Sequence, residues 1–285
     1  MPLDQIDIDK YDPAKPAEKE MSFLDHLEEF RWVLVRCIVG TVLATVLVFA
    51  FKRFFIDFVL FGPATSDFVG YKYICRLSNF LFQAKPLGIQ PDAICFANDL
   101  TIQNLRLSGQ FLAHFQISFI MGLVLAFPWV FWQLWLFIKP ALYDSEQKIM
   151  RFMTLFAWLF FISGILFGYL IILPFSLNFF ANYNLSDSLT NIYKLKDYIG
   201  YITMTTLSSG LMFEMPMVIF ILSKIGIIGP KDLRKYRRHA LLIIIVLASI
   251  ITPPDVVSQI LIAMPVYVLY ELSIFVSAWV TKKKK

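Results

Sequence analysis

The chain has 285 residues, 58% of them hydrophobic and 16% charged, with a formal net charge of +5 and a mean hydropathy of +0.66. Soluble domains are about a quarter charged, so this chain carries too little charge to cover a water-facing surface, and the shortfall lies in long uncharged runs of membrane-span type. The basic residues cluster in short segments between those runs, where the positive-inside rule accounts for them, so the net charge does not point to nucleic acid.

Residues 1–21 hold few large apolar side chains, three prolines and alternating charge, and read as a disordered tail. The membrane domain runs from 22 to 281, and residues 282–285 are a basic end. No secretory leader is expected, because the first 30 residues are polar and no small-residue cleavage site follows the first apolar run. A helix is predicted to start near Ser22, with Asp25 in loose capping-box register. The first span is 32–51, interrupted by Arg36; at about 1.5 Å per residue it reaches about 30 Å. The second, 111–138, is overlong and contains Pro128, which predicts tilt or a kink. The third, 152–173, meets Pro174 at a bend or an end; the fourth, 198–222, carries Glu214 two residues before Pro216. The sixth, 256–280, contains Pro265 and Glu271.

The fifth run, 240–252, has only 13 residues and spans about 20 Å, less than a typical hydrocarbon core. Charge favours a crossing over a re-entrant segment. Lys224, Lys231, Arg234, Lys235, Arg237 and Arg238 precede it, the turn 253–255 after it has no basic residue, and Lys282–Lys285 follow the sixth run. Both basic clusters therefore belong in the cytoplasm, and an even number of crossings puts both termini there. The expected fold is all-α, a polytopic six-helix membrane protein whose bent helices enclose a concavity beneath a periplasmic cap.

That cap is the loop 52–110, rich in aromatic residues. Cys75 and Cys95 share it, in an oxidising compartment, as a candidate disulfide; two buried thiols are the alternative. Cys37 falls within the first span and reads as a packing residue.

Catalytic signatures are missing: no phosphate-binding G-x-x-x-x-G-K-[ST], no H-E-x-x-H, no G-x-S-x-G and no C-x-x-C. His26, His114 and His239 are scattered, and no enzyme activity, cofactor or metal is expected. What stands out is carboxylates at particular depths. Glu28, Glu29 and Glu146 flank spans at the cytoplasmic surface, where solvation alone would explain them. Glu214 and Glu271 lie within spans, where an ionisable side chain faces protein or water and marks function, or locks helix packing through hydrogen bonds. A small-molecule or ion transporter would also use such carboxylates, but it predicts inverted repeats, and the two halves of the chain show no convincing symmetry.

The order of motifs resembles the TatC family. SFLDHLEEFR (22–31), FIKPALYDSE (137–146), FEMP (213–216), GPKDLRKYRRHA (229–240) and TPPDVVSQ (252–259) are similar, in sequence order, to that family's opening element, first cytoplasmic loop, intramembrane glutamate motif, second cytoplasmic loop and final turn. Phe30 replaces the usual leucine, and the first periplasmic loop is longer than the family's.

The resemblance implies an inner-membrane receptor for twin-arginine signal peptides of folded cargo, driven by the proton-motive force. Glu29 and Glu146 match its signal-peptide site, with Arg31, Phe137 and Leu142 beside them. Two guanidiniums offer planar bidentate partners to carboxylates, which lysine does not. Glu214 matches the membrane-embedded acceptor, and Thr252, Gln259 and Glu271 match positions that dock single-span TatA or TatB helices. Pro63 and Asp255 are expected to be structural, Asp255 as a cap of the sixth helix. The implied partners are signal peptides, TatA or TatB, other TatC copies and lipid.

Overall fold

The computed structural model describes residues 23–82, 100–138, 144–183, 186, 191–251 and 256–282. Ten α-helices lie within these residues, and five helical runs are long and apolar enough to cross a membrane: 27–50, 109–137, 154–182, 195–225 and 259–282. A sixth, α9 (Arg237–Ile251), is apolar but only 15 residues long. The fold is an all-α polytopic membrane protein, as the apolar runs predict.

Helix α1 (Phe23–Ala50) packs along α3 (Gly109–Ile138). Lipid offers no hydrophobic drive for two helices to pair, so close backbone approach at small residues does the work. A Cβ on Gly40 would fall 2.7 Å from Trp129 Nε1, and one on Gly122 would fall 2.6 Å from the Thr45 Cα. The Trp129 indole N–H donates to the Arg36 carbonyl at 3.2 Å across the same seam. Pro128 is accommodated inside α3 without ending it.

The third run departs from its predicted limits. Helix α4 (Asp144–Phe167) starts well before residue 152 and continues through a π-helical turn (Gly168–Ile172) into α5 (Leu173–Asn182). Pro174 has no N–H to donate, and the extra residue of the π turn carries the helix past it. Gly164 and Gly168 lie against α6 (Leu195–Phe213): a Cβ at Gly164 would lie 2.7 Å from the Ser209 carbonyl oxygen, and one at Gly168 2.8 Å from the Ser209 Cβ. Phe127 and Phe161 stack with centroids 3.6 Å apart, joining α3 to α4.

The fourth run is two helices, α6 and α7 (Met215–Ile225), broken at Glu214, with Pro216 in the first turn of α7. Gly226, at φ 93°, ends α7; its N–H and that of Ile227 both bond to the Leu222 carbonyl, a turn that only glycine adopts without strain. Short α8 (Pro230–Lys235), α9 and α10 (Val256–Lys282) complete the bundle. Their core is built from Leu233, Ile244, Ala248, Ile262, Val266 and Ile274. Ser223 and Ser277 share a buried hydroxyl hydrogen bond of 2.7 Å between α7 and α10.

The segment expected as a cap loop is structured where described. A π-helical turn (Phe54–Leu60), a 3-10 turn (Gly62–Ala64) and α2 (Val69–Phe82) follow α1. The two-residue strand β1 (Ile102–Gln103) pairs in parallel with β2 (Tyr193–Lys194), tying it to the segment before α6. Tyrosine hydroxyls pin these turns: Tyr169 donates to Val59 O at 2.6 Å, Tyr198 to Leu60 O at 2.8 Å and Tyr71 to Pro63 O at 2.9 Å. Burial pushes the Tyr71 hydroxyl up to about 12, so it stays a donor across the ordinary pH range. Pro63 is fully buried.

Candidate functional site

The end of the bundle opposite the cap gathers the start of α1, the end of α3, the start of α4 and the α7–α8–α9 connection. The residues after Glu29 make the α1–α3 contact: the Phe30 and Phe137 rings lie 5.2 Å apart at 49°. Glu29 is half-buried, and its Oε2 is out of solvent with no hydrogen-bond partner among the described residues. A buried carboxylate oxygen without a donor is costly, by about 1–3 kcal/mol or more when charged. Arg31, two residues further along α1, is exposed. Glu146 stands in the first turn of α4, nine residues along the chain from Phe137; Leu142 lies outside the described residues. Of the expected set, Phe137 meets Phe30, the residue that follows Glu29 on α1.

At the same end of the bundle, α8 and the start of α9 expose Lys231, Arg234, Lys235, Arg237 and Arg238. Arg237 donates to Glu271 Oε2 at 2.7 Å, and the Tyr267 hydroxyl donates to Glu271 Oε1 at 3.2 Å. Glu271, expected as a docking position, is therefore engaged in tying α10 to α9, in a partly exposed pair of the kind worth about 0.2–1 kcal/mol.

Deeper in the bundle, Glu214 is 7% exposed. Its backbone carbonyl accepts the N–H groups of Met217 and Val218 at 3.0 Å, while both side-chain oxygens lack partners among the described residues. The helix break explains how a carboxylate is held here: α6 stops against Gly164, α7 restarts at Pro216, and the turn residue between them is Glu214. The sequence reading did not single out Gln133, which is 4% exposed on α3 with its Oε1 likewise unpartnered. An amide deep in an apolar helical run was the available signal.

Gln259 donates from Nε2 to the Ile245 carbonyl at 3.1 Å, and lines an apolar groove of about 320 Å³ between α9 and α10 with Ile245, Met264 and Tyr267. Thr252 and Asp255 lie outside the described residues. On the cap, Cys75 is disulfide-bonded and Cys95 lies outside the described residues; Cys37 is a free, buried thiol on α1.

Comparison with known proteins decides the family. A family model described as "Sec-independent protein translocase protein (TatC)" matches residues 25–265. The chain belongs to the TatC family. A TatC protein of Blattabacterium sp. subsp. Periplaneta americana is 38% identical over 95% of this chain and 100% of its own length. Another, from Desulforapulum autotrophicum, is 31% identical over 94% and 88%. The solved structure titled "Crystal Structure of Twin Arginine Translocase Receptor- TatC" superposes with a TM-score of 0.65 at 28% identity, covering 90% of this chain and 99% of that one. This TatC-family chain is accordingly a multi-pass membrane component of the Sec-independent protein translocase, a transport protein rather than a known enzyme.

Proposed function

We propose that the chain is the receptor subunit of twin-arginine translocation. Glu29 and Glu146, with Phe30, Arg31, Phe137 and Leu142, take the paired arginines of a signal peptide at the cytoplasmic face. The observation that carries this reading is the Glu29 Oε2, held out of solvent without a donor beside the Phe30–Phe137 contact. A guanidinium supplies parallel N–H donors to such a carboxylate and stacks on an adjacent ring, which an ammonium does poorly. The glutamates then give selectivity for arginine, and burial of the peptide's apolar stretch between helices gives most of the affinity.

Orientation follows from charge. The exposed basic residues of α8 and α9 share the end of the bundle with this junction, and short basic loops stay in the cytoplasm. Both termini then lie there, and the α2, β1 and β2 cap is periplasmic. The further partners are TatA- or TatB-type single-span helices, received at Thr252, Gln259 and Glu271, and other TatC copies. Glu214 offers its two free oxygens to a polar group on such a helix, an interaction worth about 0.6–2 kcal/mol in lipid. Transport of folded cargo draws on the proton-motive force.

The test is export of a folded reporter bearing an Arg-Arg or a Lys-Lys signal, in cells whose own receptor is replaced by this chain. Export of the Arg-Arg reporter alone is expected; equal export of both contradicts the selectivity assigned to the glutamates.

A further inference from the structure

A cavity of about 450 Å³ opens beneath the cap, at the end of the bundle away from the signal-peptide junction. Its position fixes its surroundings. Lys52 follows the last turn of α1, Gln110 and His114 are in the first turns of α3, and Leu195 and Ile199 begin α6. Each of these helices becomes apolar just beyond these residues, so the cavity lies at the level where hydrocarbon gives way to headgroups.

Its lining is divided by chemistry. Lys52, Gln110 and His114 supply a cation and hydrogen-bonding groups, whereas Leu60, Ile117 and Ile199 belong to the buried apolar core. The His114 ring is clamped against Phe49, with centroids 3.9 Å apart at 16°. Its Nε2 is out of solvent and has no partner among the described residues. Buried ring nitrogens are normally hydrogen-bonded, and this one is unsatisfied on a residue that lines the cavity. The volume lies within the range of roughly 300–1,000 Å³ common to ligand sites and exceeds that of a few waters, at about 30 Å³ each.

We propose that this cavity binds a phospholipid from the periplasmic leaflet, its phosphate facing Lys52, Gln110 and His114 and its glycerol and first acyl carbons against Leu60, Ile117 and Ile199. A free phosphate would satisfy the polar groups but leave the apolar wall uncovered, so an amphiphile is the better fit. Anionic phosphatidylglycerol is favoured over zwitterionic phosphatidylcholine, because Lys52 finds no compensating ammonium in the latter. This assignment does not rest on the signal-peptide reading.

The test is thermal unfolding of the purified, delipidated full-length protein in neutral detergent, with phosphatidylglycerol, phosphatidylcholine or inorganic phosphate added. Two variants accompany it: Lys52→Gln removes the cation, and Ala113→Phe fills the cavity from α3 without changing charge. Phosphatidylglycerol is expected to raise the midpoint of the wild type by several degrees, phosphatidylcholine less and inorganic phosphate not at all. The shift should fall at least by half in Lys52→Gln. Native mass spectrometry should show retained phosphatidylglycerol lost from the variants. No shift in the wild type, or equal shifts in wild type and Lys52→Gln, overturns the site. An equal shift with inorganic phosphate overturns the lipid assignment in favour of a free anion.

Discussion

Phe30 and Phe137 pack ring against ring at the mouth of the α1–α3 seam, and the residue preceding Phe30 is the glutamate with an open carboxylate oxygen. The contact fixes Glu29 relative to the end of α3 and leaves the carboxylate to a ligand. Glu29→Ala should therefore weaken binding of an Arg-Arg signal peptide roughly tenfold to a hundredfold, the worth of a hydrogen bond to a charged group at about 1.5–3 kcal/mol. Thermal stability should be unchanged or slightly raised, because no described residue loses a partner. Peptide titration on protein in nanodiscs measures the first, and unfolding midpoints the second; unaltered peptide affinity removes Glu29 from the site.

Glu214 separates a structural from a functional carboxylate. If its oxygens served packing, replacing them would destabilise the bundle; as both lack partners among the described residues, Glu214→Leu should unfold at the wild-type temperature or above it. Export should fall more in Glu214→Leu than in Glu214→Gln, since the amide keeps hydrogen-bonding capacity. Equal export defects would assign the role to charge itself, and a large drop in midpoint for Glu214→Leu would return the residue to packing.

The α4–α6 seam makes a paired prediction about glycines. Gly164→Leu forces a side chain into the Ser209 carbonyl and Phe213, and overpacking of this kind costs about 1–3 kcal/mol or more. Gly200 on α6 has open space around a prospective Cβ, so Gly200→Ala should be neutral or stabilising by about 0.5–1 kcal/mol. Unfolding midpoints in detergent compare the two; equal losses would contradict the close approach.

The disulfide of Cys75 has a single available partner in sequence terms, since the chain contains three cysteines and Cys37 is free. We infer a Cys75–Cys95 bridge closing the cap. Alkylation followed by mass spectrometry should count one modified thiol without reductant and three with it. Cys95→Ser should cost about 2–4 kcal/mol. Three alkylated thiols in the unreduced protein would rule out the bridge.

The helices were legible because apolar runs of fixed length carry their own signature, and the motif order named the family. What was missed lies between elements. Pro174 read as a bend or an end, yet the chain continues to Asn182, because a π turn absorbs a proline in a way no propensity encodes. The G-x-x-x-G of Gly164 and Gly168 was in plain view and signals close helix contact, but its partner Ser209 is set by tertiary packing. The Phe30–Phe137 pair is of the same kind: two motifs 107 positions apart (137 − 30) meet only once α1 lies along α3. Glu271 read as an intramembrane carboxylate, whereas the start of α9 reaches it with Arg237. Gln133 carried a faint signal, an amide in the most apolar half of a long helix that also holds Gln110 and Gln116, and its burial makes that signal plain.

The central claim is tested most directly by photocrosslinking from position 30 in inverted membrane vesicles, whose cytoplasmic face is outward. A photoreactive residue at that exposed site should form an adduct with an added Arg-Arg precursor. The adduct should be absent with a Lys-Lys precursor and reduced by Glu29→Ala. Equal adducts with both precursors, or an adduct only in vesicles of the opposite orientation, would contradict the account.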